Sequence, residues 1–281
     1  MANRPVAVVV DSTLDVPTAV ATELGITVVP LNVQFGDETF LDQVEMSSAE
    51  FLARLTSSSN LPRTSQPSPS RFEDVFRAGI ESGNDVLCLT IAAELSGTGN
   101  SARLAAEAIG RERVRVVDSR SVSLGGGFIA IAAARAALDG ASLDEVVALA
   151  ESMPARISLY AALDTLEYLH KGGRIGRASA LVGSLLSIKP IVQIRDGQVQ
   201  PVERVRTWRK AMDRLATLAA DHTPMDAIGV MHVGNPADAE RLASRVAPLA
   251  PSGEVLIGEL GPVVATYGGP GLVGFVVVER D

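Results

Sequence analysis

The chain has 281 residues, 47% of them hydrophobic and 21% charged, so its length suits one large or two ordinary domains and its composition disfavours a disordered chain or a coiled coil. Its 33 acidic residues outnumber 25 basic ones, and the resulting net charge of −8 disfavours nucleic acids and anionic membranes as partners. Aromatic residues make up only 4%, so stacking platforms for single-stranded nucleic acid are scarce.

The chain shows no sign of export. Its single cysteine, Cys88, lies in an apolar run, which predicts a buried thiol and excludes an intrachain disulfide. The apolar run over residues 6–10 ends at Asp11 and is too short for a signal sequence or a membrane span. We therefore expect a cytoplasmic protein without stable membrane insertion.

The first half of the chain repeats one unit, in which an apolar strand leads into a polar loop of small residues and then into a helix. The three strands cover residues 6–10, 85–91 and 114–117. Uninterrupted apolar runs of this length are typical of strands buried on both faces, and the intervening helices make the sheet parallel. The pattern predicts a doubly wound α/β domain over residues 1–154, with a small hairpin inserted near residues 27–41.

Three helix starts are marked by serine residues whose side chains can cap free backbone amides. Ser47 and Ser142 are each followed three residues later by glutamate, and Ser68 is followed by Pro69. These pairs predict helices that begin at the next residue.

Residues 155–281 follow a different order and predict a second α/β domain with a mixed sheet. Its predicted strands are 157–163, 191–194, 198–205, 226–233, 254–260 and 272–279. Its predicted helices are one opened by Asp164 and Glu167, then 178–186, 207–220 and 236–248. Asp196-Gly197 predicts a tight hairpin turn, and the glycine-rich residues 261–271 predict a loop between the last two strands.

Hydroxyl-rich loops follow the three parallel strands and should meet at one edge of the sheet. They are Asp11-Ser12-Thr13, Ser96-Gly97-Thr98 and Asp118-Ser119. Such residues are common helix caps, but helix N-termini at this edge also bind anions. Together with residues 62–69, they suit a carboxylate or a phosphate equally well.

Familiar catalytic templates are missing from the sequence. The nucleophile elbow of α/β-hydrolases, the phosphate-binding P-loop and the dinucleotide fingerprint are all absent. His170, His222 and His232 lack partners at metal-ligand spacing, so no metal, cofactor or catalytic residue is assigned. An enzyme that acts on a small phosphorylated or carboxylated metabolite through Ser96 or Asp11 stays open as an alternative. A nucleic-acid-binding regulator is disfavoured by the charge and by the lack of a helix-turn-helix pattern.

A basic segment covers residues 170–177, and further basic residues follow at Arg204, Arg206, Arg209 and Lys210. From charge alone, this set is either a solvated face or a surface for an acidic partner.

Taken in order, these segments resemble the DegV family. The matching motifs are residues 11–17, 64–69, 95–102, 118–119, 164–175, 189–191, 204–207 and the terminal Gly-Pro-Gly at 269–271. Single motifs such as Asp-Ser-Thr are weak, but the ordered series spans nearly the whole chain.

The resemblance implies a non-enzymatic bacterial protein of fatty acid metabolism with an EDD fold. It implies an N-terminal Rossmann-like domain, a C-terminal α/β domain and, between them, a tunnel for a fatty acid such as palmitate, stearate or oleate. Proteins similar to this one serve as the acyl-binding subunit of fatty acid kinase and present the carboxylate to an ATP-dependent kinase subunit.

The same resemblance implies roles for individual residues. Thr64 and Ser96 would hydrogen-bond the carboxylate, with the amides around Ser65 and Gly97 nearby. Arg174 and Arg206 would face the kinase subunit.

One position departs from the pattern of the kinase-associated members. Where they carry histidine in a Thr-His-x-Gly-Pro-Gly loop, this chain has Tyr267. A phenol can donate a hydrogen bond to a carboxylate but carries no positive charge near neutral pH. We therefore expect ligand binding to tolerate Tyr267 more easily than phosphoryl transfer does.

Overall fold

This computed structural model describes residues 4–58, 60–184 and 188–280. The chain forms two compact units, Met1–Asn32 with Ser65–Ala155 and Val33–Thr64 with Arg156–Asp281. The sequence predicts domains 1–154 and 155–281, and the structure differs over residues 33–64, which group with the second unit. The difference arises because this segment contacts distant residues of that unit: the Ser48 hydroxyl, for example, donates to the Leu260 carbonyl.

The described residues form thirteen strands and ten α-helices. The strands are β1 (Val6–Asp11), β2 (Thr27–Val29), β3 (Asn32–Phe35), β4 (Glu38–Leu41), β5 (Arg63–Ser65), β6 (Asp85–Thr90), β7 (Val114–Asp118), β8 (Ile157–Ala162), β9 (Lys189–Arg195), β10 (Gln198–Val205), β11 (Met225–His232), β12 (Leu256–Glu259) and β13 (Val273–Glu279). The helices are α1 (Thr18–Leu24), α2 (Ser48–Ser57), α3 (Pro69–Glu81), α4 (Thr98–Ile109), α5 (Leu124–Leu138), α6 (Leu143–Ser152), α7 (Glu167–Lys171), α8 (Trp208–Ala220), α9 (Pro236–Val246) and α10 (Pro262–Gly268).

The first unit contains a parallel four-stranded sheet with strand order β2-β1-β6-β7. On one face, Val9 and Cys88 pack against Phe72 and Phe76 of α3 and against small residues of α4. Helix α5 packs on β1, and α6 packs on β6 and β7. Consecutive residues of β1 and β6 are apolar and buried, so both faces of the sheet are apolar and can be covered by helices. The predicted doubly wound arrangement is confirmed.

The predicted helix starts are confirmed. The hydroxyls of Ser47 and Ser142 accept from the amides of Glu50 and Glu145, and each glutamate side chain binds back to the capping residue. Ser68 accepts from the Arg71 amide, and Pro69 takes the first helical position.

The second unit contains a mixed six-stranded sheet with strand order β10-β9-β8-β13-β11-β12. Its β9–β10 hairpin turns at Asp196-Gly197, where both residues have positive φ, 51° and 73°. Helices α8 and α9 pack on one face around Phe275. Residues on the opposite face, such as Leu159 and Val276, are also apolar and buried.

Three predicted segments are wrong in detail. The hairpin predicted near residues 27–41 is shorter, because its first arm is divided at Pro30: β2 pairs with β1, whereas β3 forms the hairpin with β4. The apolar helix predicted over residues 178–186 is a 3-10 helix over Gly176–Ser184, and residues 185–187 lie outside the described residues. Residues 261–271, predicted as a loop, contain helix α10.

Candidate functional site

Loops that follow β1, β6 and β7 meet at the carboxyl edge of the parallel sheet, as the sequence predicts. The Ile91 amide donates to Asp11 Oδ2 at 2.7 Å, which joins the loop after β6 to the end of β1. The Ser119 amide donates to the Thr90 carbonyl at 3.0 Å, which joins the loop after β7 to the end of β6. These hydrogen bonds hold the three loops together at the carboxyl edge of the sheet. Helix N-termini at this edge present backbone amides.

Ser96 and Gly97 lie at the start of α4. The half-buried Ser96 hydroxyl lies 2.9 Å from the buried Thr98 hydroxyl and accepts from the Thr98 amide at 3.3 Å. Gly97 is the N-terminal cap residue of α4 and makes no side-chain cap, whereas the Ser96 hydroxyl bonds the first amide of the helix. A serine hydroxyl at a helix N-terminus can donate to an anion.

The side chain of Gln66 lies close over Gly97. A Cβ at this position would lie 2.4 Å from Oε1 of Gln66, whose amide group donates to Ser101 Oγ at 3.1 Å. The Gln66 side chain is thus fixed over the turn that carries Ser96. Ser65, its neighbour, is exposed, and its hydroxyl accepts from the Asn32 side chain at 3.0 Å.

Thr64 and Tyr267 form a pair of hydroxyl groups in the second unit. Thr64 Oγ1 on β5 and Tyr267 Oη on α10 are 2.6 Å apart, and both residues are half-buried. Two hydroxyls carry two protons, and one proton suffices for the bond between them. The other proton is available for an acceptor, so the pair suits a carboxylate.

The tyrosine ring is held between α7 and the arginine that follows it. The Arg174 guanidinium carbon lies 5.0 Å from the centre of the Tyr267 ring, in cation–π geometry. Arg174 Nη1 also donates to the Gly172 carbonyl at 3.0 Å. A Cβ at Gly172 would lie 2.5 Å from Tyr267 Cδ1, so the ring packs directly on the glycine backbone.

The two arginines of the predicted partner surface lie in different settings. Arg174 is exposed and contacts the Tyr267 ring. Arg206 is exposed between the end of β10 and Thr207, which caps α8. Of the two arginines, Arg174 is the one that contacts the Tyr267 ring.

Sequence reasoning missed the residue that supports α10. Asp42 is 1% exposed, and its Oδ1 accepts from the Val263 amide at 3.1 Å in the first turn of α10. A carboxylate at a helix N-terminus satisfies free amides. No local signal could reveal it, because the two residues lie 221 positions apart.

Asp11 is fully buried and carries three hydrogen bonds. Its carboxylate accepts from the Thr13 amide at 2.9 Å, from the Thr13 hydroxyl and from the Ile91 amide. Burial raises the pKa of Asp11 from 3.8 to about 6, although these three hydrogen bonds act to lower it.

The histidines take structural roles or lie on the surface. His222 lies between Glu279 and the Tyr160 hydroxyl, at 2.9 and 3.2 Å. His232 accepts from the Asn235 amide, and burial lowers its pKa. Over residues 4–58, 60–184 and 188–280, no three acidic, histidine or cysteine side chains are grouped to hold a metal ion. Within the same ranges, no helix combines the length and apolarity needed to cross a bilayer.

The fold is that of a two-unit α/β protein with hydroxyl groups and helix N-termini at the carboxyl edge of its parallel sheet. The sequence profile of the family described as "Uncharacterised protein, DegV family" matches residues 5–280. The chain belongs to the DegV family.

Relatives match over almost their full length. A DegV domain-containing protein of Streptomyces coelicolor is 41% identical, with 99% of this chain and 100% of the relative covered. The structure described as "Fatty Acid Binding of a DegV family Protein from Thermus thermophilus" has a TM-score of 0.91 and 34% identity, with coverage of 98% and 100%. A structure described as a DegV lipid-binding protein from Thermotoga maritima has a TM-score of 0.87 and 30% identity, with coverage of 99% and 100%.

Proposed function

We propose that this protein binds a long-chain fatty acid, such as palmitate, stearate or oleate, and holds its carboxylate with neutral hydrogen-bond donors. The observation that carries the proposal is the Thr64–Tyr267 hydroxyl pair, 2.6 Å apart, with one proton to spare for an acceptor. The Ser96 hydroxyl and the backbone amides around Ser65 and Gly97 supply further donors. The descriptions of the Thermus and Thermotoga structures support a fatty acid or lipid as the ligand.

The acyl chain would supply most of the affinity in a buried apolar tunnel. Each buried CH2 group contributes about 0.8 kcal/mol, so a long chain outweighs what a few hydroxyls contribute through hydrogen bonds.

Binding explains the site better than catalysis on a small metabolite does. Asp11, the acidic residue of that alternative, is 0% exposed and directs its oxygens at Thr13 and Ile91. The Ser96 hydroxyl is paired with another hydroxyl, that of Thr98, and a hydroxyl cannot act as the base that activates a nucleophile. These contacts support a binding protein that performs no reaction itself.

The proposal is tested by direct detection of the ligand. Native mass spectrometry of the purified protein should show a bound C16 to C18 acid, and isothermal titration with palmitate should return binding for delipidated protein. Thr64→Val, Ser96→Ala and Tyr267→Phe should each weaken binding about five- to tenfold, the value of one hydrogen bond of about 1 kcal/mol or slightly more. Tyr168→Phe is the matched control. Protein that neither carries nor takes up a fatty acid would disprove the proposal.

We further propose that the bound carboxylate is presented to a separate ATP-dependent fatty acid kinase subunit, with Arg174 and Arg206 on the facing surface. Arg206→Glu should lower acyl phosphate formation while it leaves palmitate affinity unchanged, and Arg111→Glu, at an exposed arginine outside the basic set, is the control. Because phenol cannot become a cation near neutral pH, Tyr267→His should raise the turnover of the coupled reaction. Equal turnover with tyrosine and histidine would show that this residue does not limit the transfer.

A further inference from the structure

The turn that carries Ser96 is anchored by three consecutive backbone amides. They donate to acceptors outside the turn: Ile91 N to Asp11 Oδ2 at 2.7 Å, Ala92 N to the Ser121 carbonyl at 2.9 Å and Ala93 N to Asp118 Oδ2 at 3.2 Å. The Ser96 amide then donates to the Ala92 carbonyl at 3.2 Å. The position of Ser96 therefore depends on these three bonds.

Of the three acceptors, Asp11 is the one with a fully buried charge. Its second oxygen accepts from both the amide and the hydroxyl of Thr13. The Thr13 carbonyl in turn accepts from the Ser123 amide at 2.7 Å, immediately before α5. One carboxylate thus connects the loop after β1, the turn after β6 and the start of α5.

A buried charge is costly, and proteins retain one where its hydrogen bonds are needed. An amide or a protonated carboxyl would present a donor on one of its two heavy atoms. Three donors already point at this side chain, two from Thr13 and one from Ile91. The two backbone amides are fixed donors, so an amide in place of the carboxylate would set its NH2 group against one of them. Only the ionised carboxylate accepts from all three donors.

The geometry points to Asp11 as a positioning residue that holds Ser96 and the first turn of α4 in place for an anionic head group. The inference rests on the proposed function, because it assumes that Ser96 binds the carboxylate of the ligand. Asp11 acts through the Ile91 amide and does not touch the ligand itself.

The role gives ligand binding a dependence on pH. Burial places the pKa of Asp11 at about 6, so mild acid converts the acceptor into a donor. The titratable groups on the elements around it are Cys88 on β6, Asp118 at the end of β7 and Asp15 in its own loop. Burial and the Asp11 charge both raise the pKa of the Cys88 thiol, which therefore stays neutral in this range.

The test compares Asp11→Asn with wild type and with Asp74→Asn, an exposed control on α3. Palmitate affinity is measured at pH 7.5 and 5.5 by displacement of a fluorescent fatty acid, and thermal unfolding is followed on delipidated protein. At pH 7.5, Asp11→Asn should bind palmitate about tenfold more weakly, the effect of one lost buried hydrogen bond. Because removal of the buried charge offsets the lost hydrogen bond, its melting temperature should stay within a few degrees of that of wild type. A loss of affinity that only accompanies a large fall in melting temperature would indicate a purely structural role and would overturn the inference.

Between pH 7.5 and 5.5 the wild-type affinity should fall towards that of Asp11→Asn. Protonation of palmitate itself affects all three proteins equally. The part of the change in affinity that Asp11→Asn does not share with wild type and Asp74→Asn is therefore due to Asp11. Equal affinity of wild type and Asp11→Asn at pH 7.5 would also overturn the inference. Failure of wild type to bind palmitate at all would instead disprove the proposed function.

Thr13→Val keeps the test valid if Asp11→Asn does not fold. Valine removes one donor to the carboxylate and leaves the bond from Ile91 in place. It should bind palmitate within about twofold of wild type at pH 7.5, because the acceptor of the Ile91 amide is unchanged. The substitution removes a hydrogen bond that lowers the pKa of Asp11, so that pKa should rise. As the pH is lowered, the palmitate affinity of Thr13→Val should therefore begin to decline at a higher pH than that of wild type. A decline at the same pH as wild type would contradict the role of Asp11.

Discussion

The hydroxyls of Thr64 and Tyr267 meet at 2.6 Å, although the two residues are 203 positions apart in the chain. Thr64 lies on a three-residue strand and Tyr267 on a seven-residue helix. Elements this short have little stability of their own, so their contact depends on the surrounding packing. The hydrogen bond between the two hydroxyls therefore forms only when β5 and α10 are packed in their native positions.

A double-mutant cycle measures the value of this pair to ligand binding. Thr64→Val and Tyr267→Phe each remove one hydroxyl and keep the size of the side chain. We expect the two losses in palmitate affinity to be non-additive, with a coupling energy of about 0.5–1.5 kcal/mol, because each hydroxyl orients the other. Isothermal titration of the four proteins gives the coupling. Additive losses would mean that the two hydroxyls act on the ligand independently.

Gly172 determines where the Tyr267 ring can lie. Its φ of −77° suits alanine, so Gly172→Ala introduces a steric conflict without backbone strain, with the new Cβ 2.5 Å from Tyr267 Cδ1 and 2.9 Å from the Tyr168 carbonyl oxygen. We expect a loss of about 1–3 kcal/mol in the free energy of unfolding, as for other overpacked sites, and weaker palmitate binding because the ring is displaced. Urea unfolding measures the first effect and titration the second.

The matched control for Gly172→Ala is the same substitution combined with Tyr267→Ser. Without the ring, the part of the destabilisation that the ring causes should disappear. If alanine costs the same in both backgrounds, contact with Tyr267 is not the reason for glycine at position 172.

The parallel sheet could be predicted because its signals are local. Apolar runs such as residues 86–89 and capping pairs such as Ser142 with Glu145 act within a few residues. Helix α10 could not be predicted in this way. Its glycines favour a loop, whereas Pro262 at the first turn and the distant Asp42 allow a helix to start.

The grouping of residues 33–64 with the second unit could not be predicted either, because it depends on contacts between residues that are distant in the sequence. It depends on contacts such as that between Ser48 and Leu260, which no sequence period encodes. The hydroxyl loops after the strands were visible as a candidate anion site. Their assignment to a carboxylate came from the family resemblance alone, because Ser96 and its neighbours suit a phosphate equally well.

Asp42 tests the support of α10 independently of the ligand. Asp42→Ala removes the acceptor of the Val263 amide and leaves a donor unsatisfied in a buried position. We expect a loss of about 1–3 kcal/mol in the free energy of unfolding and faster hydrogen exchange at Val263. Asp42→Asn retains an oxygen acceptor and should lose less, since both residues cap helices well. Equal losses for alanine and asparagine would contradict the capping role.

Asp11 should make the stability of the protein depend on pH in the opposite sense from most carboxylates. Its pKa is about 6 in the folded protein, above the unfolded value of 3.8. The folded state therefore binds the proton more tightly, so the favourable contribution is complete below the unfolded pKa and is lost as the pH rises through 6. Asp226 and Asp238, whose pKa values are lowered in the folded state, act in the reverse direction at lower pH.

The difference between wild type and Asp11→Asn separates these contributions, because Asp226 and Asp238 are present in both proteins. From pH 4.5 to 7.5, we expect the free energy of unfolding of wild type to fall by about 2 kcal/mol relative to Asp11→Asn. Urea unfolding at several pH values measures the difference, and Asp74→Asn should follow wild type. If the difference in the free energy of unfolding stays constant over this range, the Asp11 carboxyl titrates at its ordinary pKa. Burial would then not raise the pKa of this group.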